Sequence, residues 1–149
     1  MSKFIEHLPR PTGVVSMRAW RGKTLVEAWR EHNLVVDSGR QILTRALRGD
    51  AGSEVTKIGF GTSDLAADVG DTVLVDAFIK RMDSGTYRHP SNRSVEFSFN
   101  LTNLQANGLA IMEIGLFSED ENLFARKVRS EPLNKTADLY IEGTWTITY

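Results

Sequence analysis

Glu113 is an acid set inside an otherwise apolar run, Leu109 to Phe117. Burial there would raise its pKa toward a general-acid range, whereas an arginine on a neighbouring strand would hold it charged. Arg81 and Arg126 are the arginines placed to do so, and a structural ion pair is favoured over catalysis because such pairs readily mimic functional sites. The histidines, His7, His32 and His89, lie far apart in the chain with no helical or hairpin spacing, so no metal site is read from them. Asp64, Asp68 and Asp71 share a loop but lack the alternating acids and closing glutamate of a helix-loop-helix calcium site; capping turns is their ordinary use. Gly59-Phe60-Gly61-Thr62-Ser63 is too short for a dinucleotide fingerprint, and no Gly-Lys-Ser/Thr follows a glycine loop. Ser16, Ser38 and Ser63 lack the setting of an activated nucleophile. Trp20, Trp29 and Trp145 remain: aromatic residues on alternating strands serve as core or interface anchors, or as a platform on which a sugar ring stacks. The expectation is a non-enzyme with no catalytic, cofactor-binding or metal-ligating residues.

The elements that must position these side chains are mostly strands. Leu139, Ile141, Trp145 and Ile147 alternate with Asp138, Glu142, Thr144, Thr146 and Thr148, which describes a strand with one buried and one wet face. Residues 14–20 and 24–30 flank Arg21-Gly22-Lys23 and predict a hairpin. Ser38 and Gln41 have capping-box spacing, and the stripe Ile42, Leu43, Ala46, Leu47 ends at Gly49, so a helix over about residues 38–48 is expected to pack on the sheet. Val55 to Gly61 reads as a strand and residues 62–71 as a polar loop. Residues 73–82 fit neither period well, and β-branched content with the Asp83-Ser84-Gly85 turn favours a strand. Val95, Phe97, Phe99 and Leu101 alternate with polar residues, and residues 109–128 read as a hairpin whose first strand is central and whose turn is Ser118-Glu119-Asp120-Glu121-Asn122. The pattern predicts a mainly β protein: an antiparallel β-sandwich with one packed helix, residues 12–149 forming a single domain and residues 1–11, with Pro9 and Pro11, an N-terminal arm.

With 149 residues the chain suits one domain able to bury a core without staples, and a net charge of −1 supplies no global attraction to nucleic acid or membrane. It has no cysteine, so disulfide and thiolate chemistry are excluded and assembly in a reducing cytoplasm is expected. No apolar run is long enough to span a bilayer, and no signal peptide is legible, so membrane insertion is not expected.

Glu113-Ile114-Gly115-Leu116-Phe117, the acidic turn, Leu123-Phe124-Ala125-Arg126, Asn134-Lys135-Thr136 and Trp145-Thr146-Ile147 together resemble tail and baseplate proteins of tailed bacteriophages. Upstream, Asn33 to Arg40, Ile58 to Thr62, and Asp71 to Leu74 followed by Lys80-Arg81 match the earlier blocks, so the resemblance spans roughly residues 33 to 149. Some blocks are similar to the N-terminal attachment module of phage tail-collar fibres, though the sequence ends at Tyr149 without a shaft or receptor-binding tip. The resemblance implies a connector or adaptor in the virion tail or baseplate, assembled in the host cytoplasm as a homo-oligomer with other tail proteins, and it carries no catalytic residues. Pro9, Pro11, Arg18, Trp20 and Trp29 are the interface residues expected on this reading, with a charged rim around the tryptophans. The alternative expectation is a carbohydrate- or host-receptor-binding β-sandwich module.

Overall fold

The computed structural model describes residues 10–82 and 87–149. His7, Pro9 and the turn expected at 83–85 lie outside them. Among the described residues nine strands and one helix follow one another as β1 (Thr12–Arg21), β2 (Thr24–Val35), α1 (Asp37–Leu47), β3 (Val55–Gly61), β4 (Phe78–Arg81), β5 (Tyr87–Ser91), β6 (Ser94–Leu101), β7 (Ala110–Ser118), β8 (Leu123–Asn134) and β9 (Leu139–Thr148). All pairings are antiparallel, in the order β4-β3-β7-β8-β2-β1-β9-β6-β5. The mainly β, antiparallel, one-helix expectation therefore holds, but the strands form one continuous sheet curled into a half-barrel. Curling brings distant strands together across the core, where Phe60 of β3 meets Phe99 of β6 edge to face with ring centroids 6.0 Å apart.

The period-two pattern of β9 explains its place. Leu139, Ile141, Trp145 and Ile147 are all buried, and the strand runs between β1 and β6 with both edges bonded. Gly143 occupies the inward position among them because a Cβ there would lie 2.5 Å from both the Phe99 ring and the Ser16 carbonyl. The β1–β2 hairpin forms as expected: Arg21 pairs with Thr24 across Gly22-Lys23, and Gly22 takes φ +60°, a conformation that costs glycine nothing.

The link between the halves of the curl is weak in backbone and strong in charge. β2 pairs with β8 only at Leu34 with Arg126 and Val35 with Ala125. Beyond these residues the strands part and ion pairs bridge them: Lys127 Nζ lies 2.5 Å from Glu31, and Arg129 Nη2 lies 2.5 Å from Glu27. Charged side chains turned into such a gap protect two strand edges from pairing with another chain.

Two expectations change on the other face of β3, β7 and β8. Within 73–82 only Phe78–Arg81 forms a strand, pairing with β3. The preceding residues lie over the sheet as a loop: Val75 donates its N–H to Glu113 Oε1 at 2.7 Å, and Leu74 packs with Val36, Phe117 and Leu123. Asp76, at φ +48°, turns the chain away from extended geometry before β4.

The capping box of α1 does not form. The helix begins one residue earlier than expected, Val36 is its cap, no side chain caps it, and the Ser38 hydroxyl donates to the Leu123 carbonyl at 2.6 Å. The reason is proximity to β8: Gly39 sits so close that a Cβ would lie 2.1 Å from the Phe124 carbonyl oxygen, placing Ser38 within reach of the strand. The other end closes as expected, with Gly49 at φ +74°, its N–H on Ala46 O and the Asp50 N–H on Arg45 O. These two bonds make the Schellman pattern, which satisfies carbonyls that the last turn leaves open. Of the expected apolar stripe only Ile42 is buried, and Leu43 and Leu47 face outward.

Candidate interface

The residues expected at an interface fall into different places. Pro9 is outside the described residues. Arg18 is exposed on β1, and Trp20, half-buried on the same outward face, donates its indole N–H to Glu142 Oε1 at 3.1 Å. Trp29 is opposite Met17 in the β1–β2 register and therefore points inward, where the Arg129 guanidinium sits 5.4 Å above its ring. Its indole N–H is buried without a hydrogen-bond partner. Trp145 is wholly buried and donates to Asn33 Oδ1 at 3.0 Å. Strand alternation thus separates the tryptophans, and the structure does not bring the three onto one surface.

Pro11 belongs to a feature that sequence periodicity did not reveal. Together with Arg10, the exposed flank of α1 and the last residue of the chain, it lines a groove of about 760 Å³. Leu43, Leu47 and Tyr149 give the groove its apolar surface, and Asp37 and Arg40 supply opposite charges beside them. Leu47 is 91% exposed and Tyr149 53% exposed. Helical spacing correctly placed Leu43 and Leu47 on one face, but spacing does not say whether another element covers that face. Grouped exposed apolar side chains, unlike scattered ones, mark contact surfaces.

Arg18 lines a second groove, of about 470 Å³, with walls that are part polar and part apolar. Ser16, Asn100, Glu142 and Lys80 share it, and Lys80 Nζ donates to the Asn100 carbonyl at 3.2 Å and to Gln105 Oε1 at 2.9 Å. Lys80 therefore ties β4 to the loop after β6, across the open side of the curl. Among the described residues no group of three or more acids and histidines is arranged to hold a metal ion.

Glu113 and Arg126 form the pair read from the sequence, at 2.8 Å and almost fully buried. The guanidinium is held from several directions: its Nε and Nη2 both reach Glu113 Oε2, Nη2 also reaches the Leu65 carbonyl at 2.9 Å, and Nη1 reaches Asp71 at 2.9 Å. The other Glu113 oxygen holds Val75, so the pair fastens the whole 62–77 loop to the sheet. Arg81, the other candidate partner, instead pairs with Glu119. The loop acids act as turn caps, Asp68 accepting from Gly70 N–H at 2.8 Å and Asp71 from Asp68 N–H at 2.9 Å.

Lys135 was not anticipated. It is 1% exposed, donates to Asn107 Oδ1 at 2.8 Å and to the Thr136 carbonyl at 2.9 Å, and so ties the loop before β7 to the β8–β9 connection. Burial pulls its pKa below the usual lysine range, opposed by the nearby Asp138 carboxylate. Neither groove reaches its ammonium, which fits a tether. No protein-family model, curated protein or solved structure matches this chain.

Proposed function

We propose that this chain is a structural component of a bacteriophage tail or baseplate, a connector or adaptor that works through protein–protein contacts in a symmetric assembly. Its partners on this reading are other tail proteins and further copies of itself, and its place is the virion, after assembly in the host cytoplasm. The observation that carries the reading is the apolar groove formed by α1, Pro11 and Tyr149, in which large apolar side chains stand together outside a well-filled core. A connector needs such surfaces on a stiff body. The nearly fully paired sheet and the buried Glu113–Arg126 fastening supply that stiffness. We read the curled sheet as a sandwich joined along one side, its halves meeting where Phe60 packs on Phe99.

Quantitative mass spectrometry of purified particles, from a host carrying the gene, tests the reading. The expected result is this chain at a fixed copy ratio to the major tail proteins through successive purification steps. Absence from the particles, or a ratio that falls with each step, would overturn it.

A further inference from the structure

We infer that the tip of the β1–β2 hairpin of one copy docks on the 62–77 loop of the next, so that copies join head to tail through two different faces. The inference rests on the connector reading and gives it a specific partner, a second copy of the same chain.

Each face combines exposed apolar side chains with charge of one sign. In the loop, Leu74 packs into the fold and its neighbours Val73 and Val75 point outward; Val73 is 70% exposed and Leu65 73%. Leu65 and Val75 stand close together because the Leu65 carbonyl binds Arg126 and the Val75 N–H binds Glu113, the two members of one ion pair. Residues 62–77 include Asp64, Asp68, Asp71 and Asp76 and no lysine or arginine. On the hairpin, Leu25 is 45% exposed and Val26 42%, beside half-buried Trp20, which is opposite Leu25 in the register. Arg18, Lys23 and Arg30 are exposed around them. Among the described residues these three cations have no acidic partner, and Asp64 and Asp76 have no basic one.

The two faces are therefore complementary: both offer apolar side chains for burial, and each supplies the counter-charges that the other lacks. Opposite charges around an apolar centre steer association and fix its register. With a net charge of only −1, this complementarity comes from segregation of sign over the surface.

The contact cannot close within one chain. The loop is tied to the C-terminal end of β2: the Asp37 N–H bonds to the Val69 carbonyl at 2.8 Å, Leu74 packs on Val36, and Leu65 binds Arg126, whose partner on β2 is Leu34. The hairpin tip is at the other end of the strand, and from Leu25 to Leu34 an extended chain covers about 30 Å. A contact between these faces thus joins two copies. It is heterologous, so it repeats from copy to copy and closes a ring when the rotation between copies permits.

Sedimentation velocity of the full chain tests the inference with two variants, each altered on one face. The first carries Arg18→Glu and Lys23→Glu. The second carries Asp64→Lys and Asp76→Asn, the latter chosen because asparagine, like aspartate, tolerates the φ of +48° found there. All four positions are exposed, and circular dichroism checks that both variants fold.

The expected result is reversible, concentration-dependent association of the unaltered chain, at least about tenfold weaker association of each variant alone, and recovery in their mixture. Recovery stops at a dimer of one of each, since only the first variant's loop and the second variant's hairpin are intact. Variants that associate as the unaltered chain does, or a mixture that associates no better than its components, would overturn the inference. So would an unaltered chain that stays monomeric, which, if present in particles, would leave these faces to a different tail protein. Failure here leaves the particle-association result unaffected, and a chain that self-associates in this way but is absent from particles would sink the tail assignment alone.

Discussion

Both oxygens of Glu113 are occupied, one by Arg126 and one by the Val75 N–H, and the cation it faces is 3% exposed. Removing Glu113 leaves the buried guanidinium with only the partly exposed Asp71 as counter-charge and the Val75 N–H without its acceptor, so Glu113→Leu is expected to destabilise the protein by about 3–5 kcal/mol in urea unfolding. Glu113→Leu combined with Arg126→Met should recover part of that loss, because no fully buried charge is left unpaired, while Asp71, which loses its partner, is partly exposed to water. A single variant with a loss below about 1 kcal/mol would contradict a buried, fastening pair. A second carboxylate reports on acid stability. Asp120 is pulled down from 3.8 to about 2 by the hydrogen bond from Arg45 first and by that from Ser118 next, against the cost of burial. Since the folded value lies below the unfolded one, its contribution is fully present above about pH 4 and is lost as pH falls through about 2. Arg45→Gln is expected to move the Asp120 midpoint back toward 3.8, read by carboxyl carbon NMR, and to shift acid unfolding to higher pH. An unmoved midpoint would show that Arg45 is not the cause. The Glu113–Arg126 pair was legible in the sequence because an acid amid apolar residues needs a cation and few were placed to supply one. The rest of the guanidinium's partners, at Leu65 and Asp71, were not, since nothing in local pattern says where a loop of small polar residues comes to rest.

The helix shows the same division between what periodicity states and what packing decides. Its extent and its closing glycine could be read from the sequence, but its start could not, because the start is set by how closely Gly39 approaches β8. Gly39→Ala tests this: alanine favours a helix by about 1 kcal/mol in isolation, yet a Cβ 2.1 Å from the Phe124 carbonyl must push the helix from the strand. The expected net effect in thermal or urea unfolding is a loss of about 1–3 kcal/mol, and a stabilised variant would contradict the close approach. Leu47 sits at the other extreme. Leu47→Asp is expected to change stability by no more than about 0.5 kcal/mol while reducing self-association in sedimentation velocity, since its side chain covers nothing within its own chain. The segment 73–82 was ambiguous for a physical reason as well. Leu74 and Val75 serve the outer surface of the sheet through one side chain and one backbone bond, which requires neither strand nor helix periodicity.

At the scale of the molecule, local pattern identified most strands but not their order. β9 was recognisable from its alternation, whereas its position between β1 and β6 depends on pairings forty or more residues apart in sequence. The same holds for the seam between β2 and β8, where a two-pair ladder and two ion pairs join the halves of one curled sheet. Trp29, expected at an interface, belongs to that seam, and Pro11, expected in an arm, belongs to the groove at α1. The surface that carries the functional proposal is thus assembled from Arg10 and Pro11, from Tyr149 and from the helix between them in sequence. The most direct measurement of the central claim is electron cryomicroscopy of purified particles at a resolution that separates strands. The predicted result is a ring in the tail or baseplate whose repeating unit fits this nine-stranded half-barrel, with the α1 groove covered by protein. A complete tail map with no density for this fold, or with the fold present and the groove open to solvent in every copy, would contradict the account.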